Sequence, residues 1–259
     1  MRARRIALAV VALAALWLIA LLVLDSVVGA RQAARIASRV GESLHASASV
    51  GDVDLALVRG RLSIVGLAVH RDDDVGHLAL DVPDVTCELP PLGGALFDRD
   101  CGELALRGVR LEVSSLAMFH PPHAQRRPIR AGRVSIVDSA LAFSPSAFLP
   151  ELGKIEIRID RADAGATILR TPLSWICTMT ELDATLELPA GLAVHLSYAR
   201  GTLSASSALL GSSPVDVPLE LPQCSDDPRE QSRALIALGE QIAERLLAKR
   251  AADWLGSPP

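Results

Sequence analysis

Ile155-Glu156-Ile157-Arg158-Ile159-Asp160 is the stretch that decides the fold class. Apolar and charged residues alternate through it without a break. That is the period of a strand that buries one face and wets the other. A surface helix would instead group its apolar residues three and four apart. The same period runs outward in both directions. Upstream lie Val53-Leu55-Leu57, Leu62-Ile64, Leu67-Val69, Leu78-Leu80-Val82, Val85-Cys87-Leu89, Leu104-Leu106, Val109-Leu111-Val113, Val134-Ile136 and Leu141-Phe143. Downstream lie Leu182-Ala184-Leu186-Leu188, Val194-Leu196-Tyr198, Leu203-Ala205 and Val215-Val217-Leu219-Leu221. Gly66 and Gly108 interrupt two of these runs, and at Gly66 the phase shifts as at a bulge. Closely spaced strands with short turns pair antiparallel with their neighbours. Phe119 to Arg130, rich in proline, histidine and arginine, reads as an exposed loop.

Both ends depart from this period. Arg2, Arg4 and Arg5 precede an uncharged apolar run from Ile6 to Leu24. As a helix that run covers roughly 28 Å, about the thickness of a bilayer's hydrocarbon core. A retained anchor and a cleaved signal peptide are the two readings, and Val28-Gly29-Ala30 offers a small-residue cleavage site. Either one sends the following chain across a membrane, and the basic start favours a cytoplasmic N-terminus. At the other end Asp227 and Pro228 suit a helix start. Leu235, Leu238, Ile242 and Leu246 fall on one helical face, and Gly256 marks the stop. That helix either packs on the sheet, plugs a groove or touches the membrane a second time.

The expected architecture is therefore mainly β. A transmembrane helix spans 1–29 and a juxtamembrane helix 30–48. A curved antiparallel sheet forming an open groove spans 49–222, and an amphipathic C-terminal helix with its tail spans 223–259. The apolar alternation serves a closed β core or an open trough equally well. Leu57, Ile64, Leu80, Leu106, Leu111, Ile157, Leu186 and Leu196 line the inner face in either case.

Composition excludes several functions. Formal net charge is −4, which argues against holding nucleic acid through phosphates. Aromatic residues make up only 3%, too few for a base- or sugar-stacking platform. No GxSxG, HExxH, P-loop or GxGxxG is present, so no enzyme class and no cofactor is indicated. Asp72-Asp73-Asp74 with His70 and His77 reads as a solvated hairpin tip or a weak cation site, so no metal centre is expected. His120 and His123 flank two prolines and lack further ligands. The four cysteines form no CxxC. Cys87 and Cys101 sit symmetrically about Gly94, where a hairpin sets them opposite each other. Cys177 and Cys224 are the remaining pair, and buried thiols are the alternative for all four.

The order of parts resembles AsmA-like proteins. The likeness rests on Val50-Gly51-Asp52-Val53-Asp54, the turn Arg59-Gly60-Arg61, and Leu62-Ser63-Ile64-Val65-Gly66-Leu67-Ala68-Val69. It continues through Leu104-Ala105-Leu106-Arg107-Gly108-Val109-Arg110-Leu111 and Ser135-Ile136-Val137-Asp138-Ser139-Ala140-Leu141, where Ser139 stands at a position the family gives to glycine. The resemblance covers residues 1–145. It implies single-pass anchoring in a bacterial inner membrane, with the main domain in the periplasm. It also implies a non-enzymatic role in phospholipid movement or outer-membrane assembly, and partners among the membrane, phospholipid and other envelope proteins. Family members carry a longer sheet. A dozen strands give only about 55–60 Å of groove, so a lipid carrier of this size needs other copies, a partner or a local task.

Overall fold

The computed structural model describes residues 33–42, 46–56, 60–73, 76–89, 100–114, 129–144, 154–169, 174–188, 191–208, 214–225 and 228–256. Residues 33–42 form a short helix, α1. Twelve strands follow: β1 (Ser47–Ala56), β2 (Arg61–Asp73), β3 (Gly76–Glu88), β4 (Asp100–Arg107), β5 (Arg110–Ser114), β6 (Ile129–Ser144), β7 (Ile155–Ala164), β8 (Thr167–Leu169), β9 (Met179–Leu188), β10 (Leu192–Ala199), β11 (Thr202–Ser206) and β12 (Val215–Pro218). A 3-10 turn, Ser174–Thr178, separates β8 from β9, and helix α2, Pro228–Gly256, closes the chain.

All twelve strands form one sheet, and their order across it follows the order in the chain. β4 and β5 are two pieces of one line, since both pair with β3 on one side and β6 on the other. β7 and β8 are likewise two pieces of one line along β6. The sheet therefore has ten places, which at about 4.8 Å each separate its outer strands by about 43 Å. That is less than a simple strand count suggests.

The expected all-antiparallel sheet is corrected at one step. β6 runs parallel to β4 and β5, with Leu104 opposite Val134 and Leu111 opposite Leu141. Residues 115–128 lie between these parallel runs in sequence, and parallel neighbours need a connection of a dozen residues or more. The expected loop also ends earlier than Arg130, because β6 begins at Ile129. The first strand starts at Ser47, inside the stretch expected to be a juxtamembrane helix. The predicted membrane segment lies outside the described residues. Among those residues no helix is long and apolar enough to cross a membrane.

A row of irregular residues crosses six neighbouring strands. Gly51 faces Gly66, and the register continues through Pro83, Gly108 and Asp138 to Asp160. Gly66, Gly108 and Asp138 hold φ of 68°, 70° and 52°, in the left-handed region. The pairing does not slip across this row from β1 to β7, yet the parity of the apolar positions reverses on every strand. Leu62 and Ile64 precede it and Leu67 and Val69 follow it; Leu104 and Leu106 precede it and Leu111 and Val113 follow it. Val65 and Val69 would share a face in an unbroken strand. Val65 is 49% exposed while Val69 is 2% exposed. The left-handed residues turn the pleat over, so the apolar residues of both halves stay on one side. Between β7 and β9 the reversal is absorbed by a register shift at Ile159 and Arg161.

The core sits on the half of the apolar face before this row. Cys87, Leu104, Val134, Ile136, Ala162, Ala164, Met179 and Tyr198 form one buried cluster with Trp175 of the 3-10 turn and with Leu203, Val215 and Val217. Leu238, Ile242 and Leu246 of α2 pack against it. Helix α2 lies along edge strand β12, where Arg245 donates to the Pro218 carbonyl and Lys249 to the Asp216 carbonyl. Unpaired edge carbonyls invite another strand, and these two cations occupy them. The helix is less amphipathic than its leucine spacing suggests: its apolar residues are weakly segregated, and Leu247 is 69% exposed.

Candidate functional site

The register turns the apolar positions into transverse rows. Beyond the irregular row, Val69, Leu80, Leu111, Leu141, Ile157, Leu186 and Val194 lie opposite one another in succession on seven strands. A second row on the same half begins at Leu78, Val113, Phe143 and Ile155. Before the irregular row, Val53, Ile64, Val85, Leu106, Ile136, Ala162, Leu182 and Tyr198 form the matching line.

The residues singled out from sequence fall on this one face. Ile64 and Leu106 share the row on the closed half. Leu80, Leu111, Ile157 and Leu186 share the row beyond it, and Leu196 lies on the adjoining row opposite Ala184. Leu57 lies outside the described residues. Sequence reasoning also missed Leu141 and Val194 as members of the same row. They were visible as period-two positions, but the register that aligns them was not.

The two halves differ in how they are filled. Ile64, Leu80, Leu106, Leu111, Ile157, Leu186 and Leu196 are all half-buried. Leu106 and Leu196 pack against the closed cluster, whereas Leu80, Leu111, Leu141, Ile157 and Leu186 do not belong to it. The cross-strand rows beyond the irregular line thus present a strip of side chains that the main core does not cover. Val69, Val82 and Val113 are buried positions within that strip. A continuous band of branched aliphatic side chains has the chemistry to hold a hydrocarbon chain, for which apolar area alone sets the affinity.

The opposite face of the same half is charged. Asp81, Arg110, Ala140 and Arg158 form one row, and Ala79, Glu112, Ala142 and Glu156 the next. The alanines leave a cavity of about 730 Å³ walled by the longer side chains, among them Lys154 and Asp160. Glu112 pairs with Lys154 at 3.4 Å, and Arg158 pairs with Glu156 and Glu187, each at 3.1 Å. The hydrogen bond to Glu156, and then the charges of Glu187 and Glu156, raise the Arg158 guanidinium above its ordinary value. These contacts turn the charged side chains on each other.

Behind the closed half, Asp163 is buried on the otherwise polar face. Arg161 and Arg133 donate to it at 2.7 and 3.1 Å. Burial pushes its carboxyl up, but the two guanidiniums outweigh this and hold it below the usual carboxylate range.

Two disulfides stand around the closed half. Cys87 is bonded to Cys101 across β3 and β4, with Cα atoms 5.4 Å apart. Cys177 of the 3-10 turn is bonded to Cys224 in the segment leading to α2. That second bond ties the approach to α2 onto the core. Among the described residues no cysteine is free.

No family model matches the chain, and no curated protein matches it.

Proposed function

We propose that this chain is a membrane-anchored, AsmA-like envelope protein that faces the periplasm and handles phospholipid or assists outer-membrane assembly without catalysis. The observation that carries this reading is the strip Leu80-Leu111-Leu141-Ile157-Leu186, aligned rung by rung and left outside the main core. An acyl chain lying across these strands would contact successive aliphatic side chains, each contributing by the area it removes from water. Three further features support the proposal. The sequence begins with a basic, bilayer-length apolar segment. The disulfides suit an oxidising compartment such as the periplasm. The sheet keeps its strands in chain order, as a groove grown strand by strand would.

With outer strands about 43 Å apart, the sheet is short for a bridge between two membranes. The proposed role is therefore local, at the inner membrane or in hand-over to a partner. The closed half favours a second reading, a tethered interaction module with a filled β core and no lipid ligand. Mass spectrometry of lipid co-purified with the full-length chain separates the two. Phospholipid near one per chain, lost on Leu111→Asp and Ile157→Asp, supports lipid handling. Folded protein free of lipid supports the module.

A further inference from the structure

The hairpin joining β2 and β3 gathers three metal-ligating side chains at one end of the sheet. Asp72 lies directly opposite His77 in the register, and His70 lies two residues along β2, on the same face as Asp72. One ligand atom from each of the three lies within 4.8 Å of the others. The two imidazoles meet edge to face, with ring centres 5.4 Å apart and planes at 70°.

We propose that His70, Asp72 and His77 bind a divalent transition cation, with zinc as the cation that fits best. Two imidazoles and one carboxylate form a borderline nitrogen and oxygen donor set. That set suits zinc and its neighbours, whereas calcium and magnesium take mainly oxygen ligands. Ligand atoms around a tetrahedral zinc, bound at about 2.0–2.1 Å, stand roughly 3.4 Å apart. His70 and Asp72 are exposed, so small side-chain rotations close the remaining gap without disturbing a core.

The scaffold beneath them is firm. Pairing of β2 with β3 continues to Asp73 and Gly76, at the very tip. The Ser47 hydroxyl donates to the His70 carbonyl at 2.8 Å, and the His77 amide donates to the Ser114 hydroxyl at 3.0 Å. Strands β1 and β5 thus hold the main chain on either side of the ligand pair. Three protein ligands leave the fourth zinc position open to water or to a donor from another molecule. The cation would clamp the tip of the hairpin and present that open position at the sheet's end.

Zinc titration of the untagged full-length chain by calorimetry tests the proposal, with cobalt titration followed by visible absorption as the geometric readout. The expected result is one zinc per chain, not displaced by millimolar calcium, and a tetrahedral cobalt spectrum. His70→Ala, Asp72→Asn and His77→Ala each weaken binding by more than the ~10–100-fold typical of losing an outer-shell partner. His195→Ala, which removes an exposed histidine beside Asp183 on β10, leaves it unchanged. His77→Gln guards against misfolding, because it keeps size and polarity and should lose the cation with the strand circular dichroism intact. Absence of zinc binding to the full-length chain overturns the proposal, and so does binding that survives His77→Gln.

Discussion

The two halves of the apolar face are built from the same kinds of residue and end in different states. Before the line of Gly66, Pro83, Gly108 and Asp138, the apolar side chains join one buried cluster that takes in Trp175, residues of β9 to β12 and the packed leucines of α2. Beyond that line, Leu80, Leu111, Leu141, Ile157 and Leu186 stay outside the main cluster. Alternation therefore fixes which side of a sheet is apolar, but not what covers it. Cover is decided by distant parts of the chain. Here the Cys177–Cys224 bond, the contacts of Arg245 and Lys249 with β12, and the leucines of α2 commit the helix to one half.

The contrast predicts unequal responses to truncation. Leu104 is 6% exposed, and Leu104→Ala should lower unfolding free energy by about 3–4 kcal/mol. Leu111 is half-buried, so Leu111→Ala should cost only about 1 kcal/mol in lipid-free protein. Urea melts of the two variants side by side check this, and equal losses would erase the distinction between the halves. Replacing Cys87 and Cys101 together by alanine removes a bond between residues 14 apart in sequence and should cost about 2–4 kcal/mol. Its effect should concentrate in the closed half, seen as faster amide exchange of β3 and β4 residues near Leu104.

The irregular line between the halves is itself open to test. A side chain at Gly108 must adopt a left-handed backbone and would set its Cβ 3.3 Å from the Pro83 ring. Gly108→Ala should therefore cost about 1–2 kcal/mol. A neutral result would mean that the pleat reversal is not held there. On the polar side, Asp163→Ala should cost about 1 kcal/mol, because its arginine partners are largely exposed and can return to water. The Asp163 carboxyl is held below its ordinary value, so its contribution is complete above the unfolded value of about 3.9. It is lost as pH falls through the lower folded value. Wild type and Asp163→Ala should thus converge in stability in strong acid and differ at neutral pH. A gap that persists in acid would assign the loss to packing instead.

Much of the sheet was legible because period-two alternation is a local signal. The phase change at Gly66 was legible too, but as a bulge, which would insert a residue; the pairing does not slip there, and a left-handed glycine turns the pleat over instead. Ser139 departs from the resemblance pattern without strain, because the left-handed residue is Asp138, and aspartate tolerates that region better than most residues. The parallel step at β6 was not legible. It depends on register between strands separated by residues 115–128, and no local pattern encodes that. The same holds for the apolar rows. Ile157 and Leu186 announce an inward face individually, but only the pairing shows that they share a rung with Leu111. The histidines at the β2–β3 tip were visible as a cluster, while their convergence with Asp72 needed the hairpin register.

Photocrosslinking in living cells is the sharpest check on the proposed lipid contact. A photoreactive phenylalanine analogue placed at Leu111, Ile157 or Leu186 should capture phospholipid on irradiation of the full-length chain. The same analogue at Leu106 or Leu182, on the closed half, should capture none. Lipid adducts absent from Leu111, Ile157 and Leu186 in folded protein would contradict the proposed lipid contact, as would equal adducts on both halves.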